Sequence, residues 1–279
     1  MSQHYTPRVL DSLVIRLTDH DRQLLRLVWT HEVLTTHQLL QAAYDNDHTG
    51  RHRLVKLTRL GALDRFRPRP PLGSAPWHYV LGEAGAAVLA RENGVTLPEF
   101  GYRRGQALAI AYSQRLAHTV GVNGVFAALT GHARHTEDCR LDTWWTEARC
   151  KAMWGKHVRP DAYARWTDNG ITLDFFLEYD TGTESLDRVA AKLRGYASLA
   201  TVSGIDTPVL FLTSTARREA NLHERLRLRG ALVPVPVATA AQGQEPHEAI
   251  WLPGNRTEGR LRLAELARHF GQERREGHP

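Results

Sequence analysis

Acidic residues stand at the ends of two neighbouring apolar runs in the second half of the chain, and a lysine follows them. Asp161 opens the first run after Pro160, Glu178 and Asp180 close the second, and Lys192 lies on the next predicted helix. If the two runs form an antiparallel hairpin, early residues of the first face late residues of the second. Paired carboxylates bind hard divalent cations such as Mg²⁺ or Mn²⁺ through oxygen. Such an ion can activate water against a phosphodiester, and this is the chemistry that these residue types predict.

A second group of residues suits the binding of a polyanion. Between positions 51 and 69 seven basic residues stand against one acid, so this segment carries +6, equal to the net charge of the whole chain. A concentrated basic patch favours a nucleic-acid partner, although a solvated helix face would show the same composition. The residues that we expect to contact DNA are Arg51, Arg53, Lys56 and Arg59 on a predicted helix, and Arg65, Arg67 and Arg69 after it.

The first part of the chain has the pattern of three helices followed by a β-hairpin. Helices are predicted after the N-cap residue Thr18, from position 35 or 36 to 43, and over 49–60, with strands over 63–66 and 77–81. This is the winged-helix arrangement, in which the third helix enters the major groove and the hairpin tracks phosphates. A closing helix is predicted over 82–93. We therefore expect a winged-helix DNA-binding domain over 1–95 and a linker over 96–105.

The remainder, residues 106–279, alternates between helices and strands. A long helix over 106–131, broken near Gly121 or Gly124, precedes strands over 141–149, 160–166 and 171–179. A helix over 184–200, a strand over 208–213, a helix over 216–229 and a strand over 231–237 follow. This order predicts a restriction-endonuclease-like mixed sheet flanked by helices. The fold class is therefore α/β, or α+β when both domains are counted.

Motifs in both parts resemble bacterial proteins of the replication-relaxation family, found on plasmids and integrative elements. The resemblance covers most of residues 17–213. It rests on the segments 17–21, 59–61 and 77–81, then on Arg159-Pro160-Asp161, on residues 178–184, and on Lys192 with Tyr196. It implies a role in plasmid replication or another form of DNA processing.

Asp161 and Glu178 also resemble the acidic pair of PD-(D/E)XK nucleases. In that superfamily the acids bind magnesium, and a lysine two positions after the second acid orients the attacking water. Asp180 occupies that position here, so the resemblance assigns the lysine's task to Lys192 and offers Asp180 as a further metal ligand. His118 and Asn123, on the long helix, are secondary candidates to face the metal.

Two functions are compatible with these residues. The first is DNA binding with Mg²⁺- or Mn²⁺-dependent nicking or cleavage, in which Asp161, Glu178 and Lys192 are catalytic. The second is a non-enzymatic initiator, accessory factor or regulator with an inactive nuclease-like domain. In that case residues 180–183 would form only a turn before the helix, Asp161 would pair with Arg159 or Arg165, and Lys192 would be a surface residue.

Other chemistries find little support in the sequence. There is no phosphate-binding GxxxxGK[ST] motif, no G-x-S-x-G nucleophile elbow, and no pair of histidines two positions apart of the kind many plasmid relaxases use. Cys139 and Cys150 are expected to be reduced packing residues. No apolar run is long enough for a membrane span, so we expect a cytoplasmic protein. Its expected partner is DNA, with a homodimer or mobile-element processing proteins as further candidates.

Overall fold

The computed structural model describes residues 13–69, 73–204, 206–230, 235–272 and 274–275. The chain divides into two compact units, Met1–Asn123 and Gly124–Pro279. Helices and a mixed sheet confirm the predicted α/β class. The boundary between the compact units, after Asn123, lies farther along the chain than the linker expected over 96–105. The limits of the functional domains at 95 and 106 stay a prediction.

Within the described residues, the N-terminal unit combines helices with a three-stranded sheet in the order β1-β3-β2. All three expected helices, the hairpin and the closing helix are present. The elements are α1 (Asp19–Thr30), β1 (Leu34–Thr35), α2 (Thr36–Ala43), α3 (Asp47–Arg59), β2 (Leu63–Phe66), β3 (His78–Leu81), α4 (Glu83–Glu92), α5 (Arg104–Ala109), a 3₁₀ turn (Ile110–Tyr112) and the first part of α6 (Leu116–Arg134), whose residues after Asn123 belong to the C-terminal unit.

The first helices begin where side chains satisfy their free backbone N–H groups. The Thr18 hydroxyl accepts a bond from the backbone N–H of Asp21, and the Asp21 carboxylate accepts one from the backbone N–H of Thr18. Thr35 and Gln38 form the same reciprocal box at the start of α2. These boxes fix where α1 and α2 begin.

The segment expected to be a linker packs against the N-terminal unit. Phe100 stacks on Trp29 of α1 with ring centroids 4.9 Å apart, and the Tyr102 hydroxyl donates to the carbonyl of Leu81 at 3.0 Å. These contacts explain why the compact unit extends beyond position 95.

The long helix predicted over 106–131 is interrupted, but at a different place. Gly121 and Gly124 lie inside α6, whereas the interruption falls at Ser113, whose backbone is extended. The Ser113 hydroxyl accepts a bond from the backbone N–H of Arg115 at 3.1 Å. A serine side chain that bonds nearby backbone competes with helical hydrogen bonding, which accounts for the break.

The C-terminal unit is built on a sheet that has seven strands within the described residues, ordered β4-β5-β6-β7-β8-β9, with β10 paired to β6. Its elements after α6 are β4 (Cys139–Thr146), α7 (Glu147–Trp154), β5 (Ala162–Asp168), β6 (Ile171–Asp180), α8 (Leu186–Ala191), α9 (Leu193–Ser203), β7 (Val209–Thr213), α10 (Ala216–Gly230), β8 (Val237–Ala241), β9 (Leu252–Pro253), α11 (Leu263–His269) and β10 (Arg274–Arg275).

Strand direction changes across this sheet. β4, β5 and β6 run antiparallel, β6, β7 and β8 run parallel, and β9 returns antiparallel. The parallel pairs require crossovers, which α8 with α9 and then α10 supply. Phe176, Phe211 and Val237 face these helices, while Phe175 lies on the other face and stacks against Phe126 of α6. The sheet is therefore covered on both faces.

Several features of this unit differ from the sequence prediction. The strand expected over 141–149 ends at Thr146, whose hydroxyl accepts from the backbone N–H of Arg149 and so begins the unpredicted helix α7. Of the strand predicted over 231–237, residues 231–234 lie outside the described residues, and β8 begins at Val237. Cys139 and Cys150 are free and buried, as expected. Burial raises the pKa of the Cys139 thiol to about 11 and that of Cys150 to about 12.

Candidate functional site

Asp161 and Glu178 are brought together by the hairpin of β5 and β6. In its register Ala162 lies opposite Leu177, so Asp161, directly before β5, comes level with Glu178. The Asp161 carboxylate accepts a hydrogen bond from the backbone N–H of Tyr179 at 2.7 Å. The expected antiparallel geometry is therefore present, and it fixes Asp161 beside the strand that carries Glu178.

Glu178 is buried, and two side chains from the following helices bond to it. The Lys192 ammonium donates to Oε2 at 2.5 Å, and the Tyr196 hydroxyl donates to Oε1. Lys192 stands at the junction of α8 and α9, and Tyr196 lies on α9 one helical turn later. Residues four positions apart share a helix face, which places both donors over the same carboxylate.

The charge state of Glu178 reflects opposing influences. Burial, the largest, and the negative charge of Asp161 raise its pKa, while Lys192 and the Tyr196 hydrogen bond lower it; the pKa rises from 4.5 to about 7. Burial lowers the pKa of Lys192, but the charges of Glu178 and Asp161 outweigh it and raise that pKa overall. Burial and Glu178 raise the pKa of Tyr196 well above 10, so Tyr196 is a neutral donor.

Asp180 makes different contacts from those expected of a metal ligand. Its carboxylate pairs with the Arg218 guanidinium of α10 and accepts a bond from the backbone N–H of Gly182 at 2.9 Å. The second bond closes a tight turn in which Gly182 has a positive φ of 89°. Ser185, rather than Asp180, caps the helix that follows. Asp180 thus ties β6 to α10, in line with the alternative that this segment is a turn.

A metal ion at this site would be held by Asp161 and Glu178. Among the described residues no three His, Cys, Asp or Glu side chains are grouped closely enough to hold an ion. Mg²⁺ commonly binds through only one or two carboxylates and keeps waters and substrate phosphate as its other ligands. A carboxylate oxygen carries two lone pairs, so an oxygen that accepts one hydrogen bond can also bind an ion. The two acids therefore fit such an ion, whereas the Asp180 carboxylate is paired with Arg218.

The helix α3 presents most of its predicted DNA-binding residues to solvent. Arg51, Lys56 and Arg59 are exposed, and Arg51 makes a surface ion pair with Asp47 at 3.3 Å. Arg53 differs, because its guanidinium pairs with the buried carboxylate of Asp21 on α1. Arg53 therefore joins two helices, and a contact of this residue with DNA stays a prediction.

Basic residues also line the hairpin of β2 and β3. The guanidinium groups of Arg65 and Arg67 lie 4.1 and 4.5 Å from the ring centroid of Trp77. Arg67 and Arg69 are exposed. Stacking on tryptophan holds the two arginines without neutralising their charge. Trp77 was not predicted to have this role, although its place at the start of the return strand puts it across from positions 65–67.

Asn123, a secondary candidate for the metal site, has a structural role in the N-terminal unit. Its amide donates to the carbonyls of His31 and Val33 at 2.9 and 2.7 Å. Asp161, Glu178 and Asp180 form the acidic cluster. Tyr196 and Arg218 bond to this cluster, and no role was predicted from the sequence for either of them. The role of Tyr196 could have been predicted from its position four residues after Lys192. The role of Arg218 could not, because Arg218 lies far along the chain from Asp180.

The fold and the acidic cluster describe an α/β protein that combines a basic, mainly helical unit with a unit built on a mixed β-sheet. The family model for replication-relaxation matches residues 25–211, and the chain belongs to this family. Membership associates it with the replication of plasmids or mobile elements. No curated protein and no solved structure matches the chain. No helix among the described residues has the length and apolar character needed to cross a membrane.

Proposed function

We propose that the chain binds DNA through its N-terminal unit and cleaves or nicks a phosphodiester, with Mg²⁺ or Mn²⁺, at the acidic cluster of its C-terminal unit. The setting is the replication or transfer of a mobile element. The observation that carries the proposal is the convergence of Lys192 on Glu178 beside Asp161. Lys192 supplies, from the following helix, the positive charge that Asp180 does not provide.

The residues at and around Asp161 and Glu178 have distinct roles in this proposal. Asp161 and Glu178 would hold the ion, and the backbone N–H of Tyr179 and the hydroxyl of Tyr196 orient the two carboxylates by donating to them. Lys192 orients the attacking water or stabilises charge that develops on the phosphate. A bound divalent ion would supply Lewis-acid activation of water.

One set of observations favours the alternative, a DNA-binding initiator, accessory factor or regulator without catalysis. Both oxygens of Glu178 already accept hydrogen bonds, and Asp180 is paired with Arg218. Structural ion-pair networks without a catalytic role also shift pKa values in the way seen at Glu178.

Cleavage assays with the full chain distinguish the two functions. Wild type should cut single- or double-stranded DNA with Mg²⁺ or Mn²⁺, and Lys192→Ala should abolish the cutting while DNA binding persists. Lys151→Ala, which removes an exposed lysine, is the matched control and should cut normally. Full activity of Lys192→Ala would exclude the role given to Lys192. The absence of cutting by wild type on every substrate would favour the alternative.

Binding of the ion can be measured without any cleavage. Calorimetric titration of Mn²⁺ into the wild-type chain should show a site that Asp161→Asn removes. Asp174→Asn is a suitable control because Asp174 pairs with Arg165 on the same hairpin, away from Glu178. Identical titrations of wild type and Asp161→Asn would contradict the assignment of the metal site.

A further inference from the structure

Two histidines near the start of α3 lie against each other on the helix surface. His48 and His52 are both exposed, and their Nε2 atoms are 3.1 Å apart. The ring centroids are 4.4 Å apart, with the planes inclined at 62°. Neither ring takes part in the DNA-binding or acidic sites described above.

The packing of α3 determines that this pair faces outward. A side chain at Gly50 would begin 2.4 Å from a methyl group of Leu40 and 2.8 Å from the Tyr44 ring, so this face of the helix is pressed against its neighbours. With 3.6 residues per turn, positions 48 and 52 lie about 160° from position 50 and about 40° from each other. The closely packed glycine therefore holds the two histidines on the opposite side of the helix, one turn apart.

The separation of the two nitrogen atoms matches that of ligands sharing one metal ion. With metal–nitrogen distances of about 2.0–2.1 Å, two imidazoles stand about 3.3 Å apart in tetrahedral coordination and about 2.9 Å apart at adjacent square-planar positions. The observed 3.1 Å lies between these values. In the metal-free chain one ring must donate the Nε2 proton to the other. In a complex both Nε2 atoms give a lone pair and both protons reside on Nδ1.

We propose that His48 and His52 form a two-histidine site for a late first-row divalent ion such as Zn²⁺. Imidazole suits these ions, and histidines four positions apart on one helix face are a known zinc-binding arrangement. Among the described residues no further His, Cys, Asp or Glu completes a group of three, so solvent occupies the other coordination positions. The site is therefore open and exchangeable, unlike the closed four-ligand sites that support folds. It does not depend on the proposed function.

Calorimetric titration of Zn²⁺ into the untagged full chain tests the site. Because the chain has fifteen histidines, the measured quantity is the binding event that a substitution removes. His48→Ala and His52→Ala should each weaken that event at least about tenfold, since even the loss of a residue behind a ligand costs this much. His37→Ala, which removes an exposed histidine from α2, should leave it unchanged.

The same variants show whether the effect is local. Both histidines are exposed, so their replacement should change folding stability by no more than about 0.5 kcal/mol, and thermal unfolding without metal checks this. Unaltered Zn²⁺ binding in both His48→Ala and His52→Ala would overturn the proposal. So would an equal loss in His37→Ala, because binding would then be spread over surface histidines.

Discussion

At the scale of single residues, Glu178 has the most unusual environment of the acids in the acidic cluster. Its carboxylate is buried, lies near a second acid, and receives bonds from a lysine and a tyrosine. Burial and Asp161 together outweigh Lys192, which is why the pKa lies near 7 rather than at its ordinary value. The carboxylate therefore changes charge close to neutral pH.

This raised pKa predicts how stability depends on pH in metal-free buffer. Between pH 4.5 and about 7 the folded chain keeps the Glu178 proton and the unfolded chain loses it, so stability falls as pH rises through this interval. The loss attributable to Glu178 is at most about 3 kcal/mol. Denaturant unfolding at a series of pH values, with EDTA present, measures it. Glu178→Gln should remove this part of the pH dependence, and parallel curves for the two proteins would contradict the burial described.

At the scale of elements, helix α3 is anchored to helix α1 by Arg53, a residue that the sequence predicts to contact DNA. Arg53 belongs to the basic run, yet it joins α3 to Asp21 in the capping box of α1. The sequence allows the helices, caps and hairpins to be predicted, because local spacing determines them. It does not reveal the pairs Arg53–Asp21 or Arg218–Asp180, because packing alone brings residues so far apart into contact. Helix α7 was missed because strand-forming tryptophans precede it directly.

The Arg53–Asp21 pair makes a prediction about folding stability. Arg53→Ala leaves a buried carboxylate without its cation, and should destabilise the chain by roughly 3 kcal/mol, the low end for breaking a buried pair, because part of Arg53 is exposed. Replacing Asp21 by Asn in the same chain should recover part of this loss. Arg51→Ala removes the same charge from the surface and should cost no more than about 0.5 kcal/mol. Chemical unfolding compares the variants, and equal stabilities of Arg53→Ala and Arg51→Ala would refute the structural role.

At the scale of the whole molecule, the basic segment and the acidic cluster lie in different units. The surplus positive charge is concentrated between positions 51 and 69, on α3 and the hairpin of β2 and β3. The acidic cluster is confined to the sheet of the C-terminal unit. The family match spans parts of both units. The position of the boundary was not predictable, because it depends on how residues 96–123 pack.

The concentrated charge predicts a salt-dependent affinity of the full chain for duplex DNA. Substituting Ala for Arg51, Lys56 and Arg59 together should weaken binding and reduce the slope of log K against log salt concentration by up to about 3, since each lost phosphate contact removes about 0.9. Fluorescence anisotropy at several salt concentrations measures both. The triple substitution of Arg26, Arg91 and Arg103 removes equal charge elsewhere in the same unit. Equal effects of the two triple variants would argue against a specific contact surface.

The burial of the two cysteines has a practical consequence for following these events. Thiol reagents attack the thiolate, and Cys139 and Cys150 are both inaccessible and hard to deprotonate. The natural chain can therefore serve as an unreactive background for site-specific labelling. A single cysteine introduced at exposed position 93 or 151 would carry a fluorophore or spin label without removal of the native thiols. Each unit could then be observed separately while DNA or metal is added.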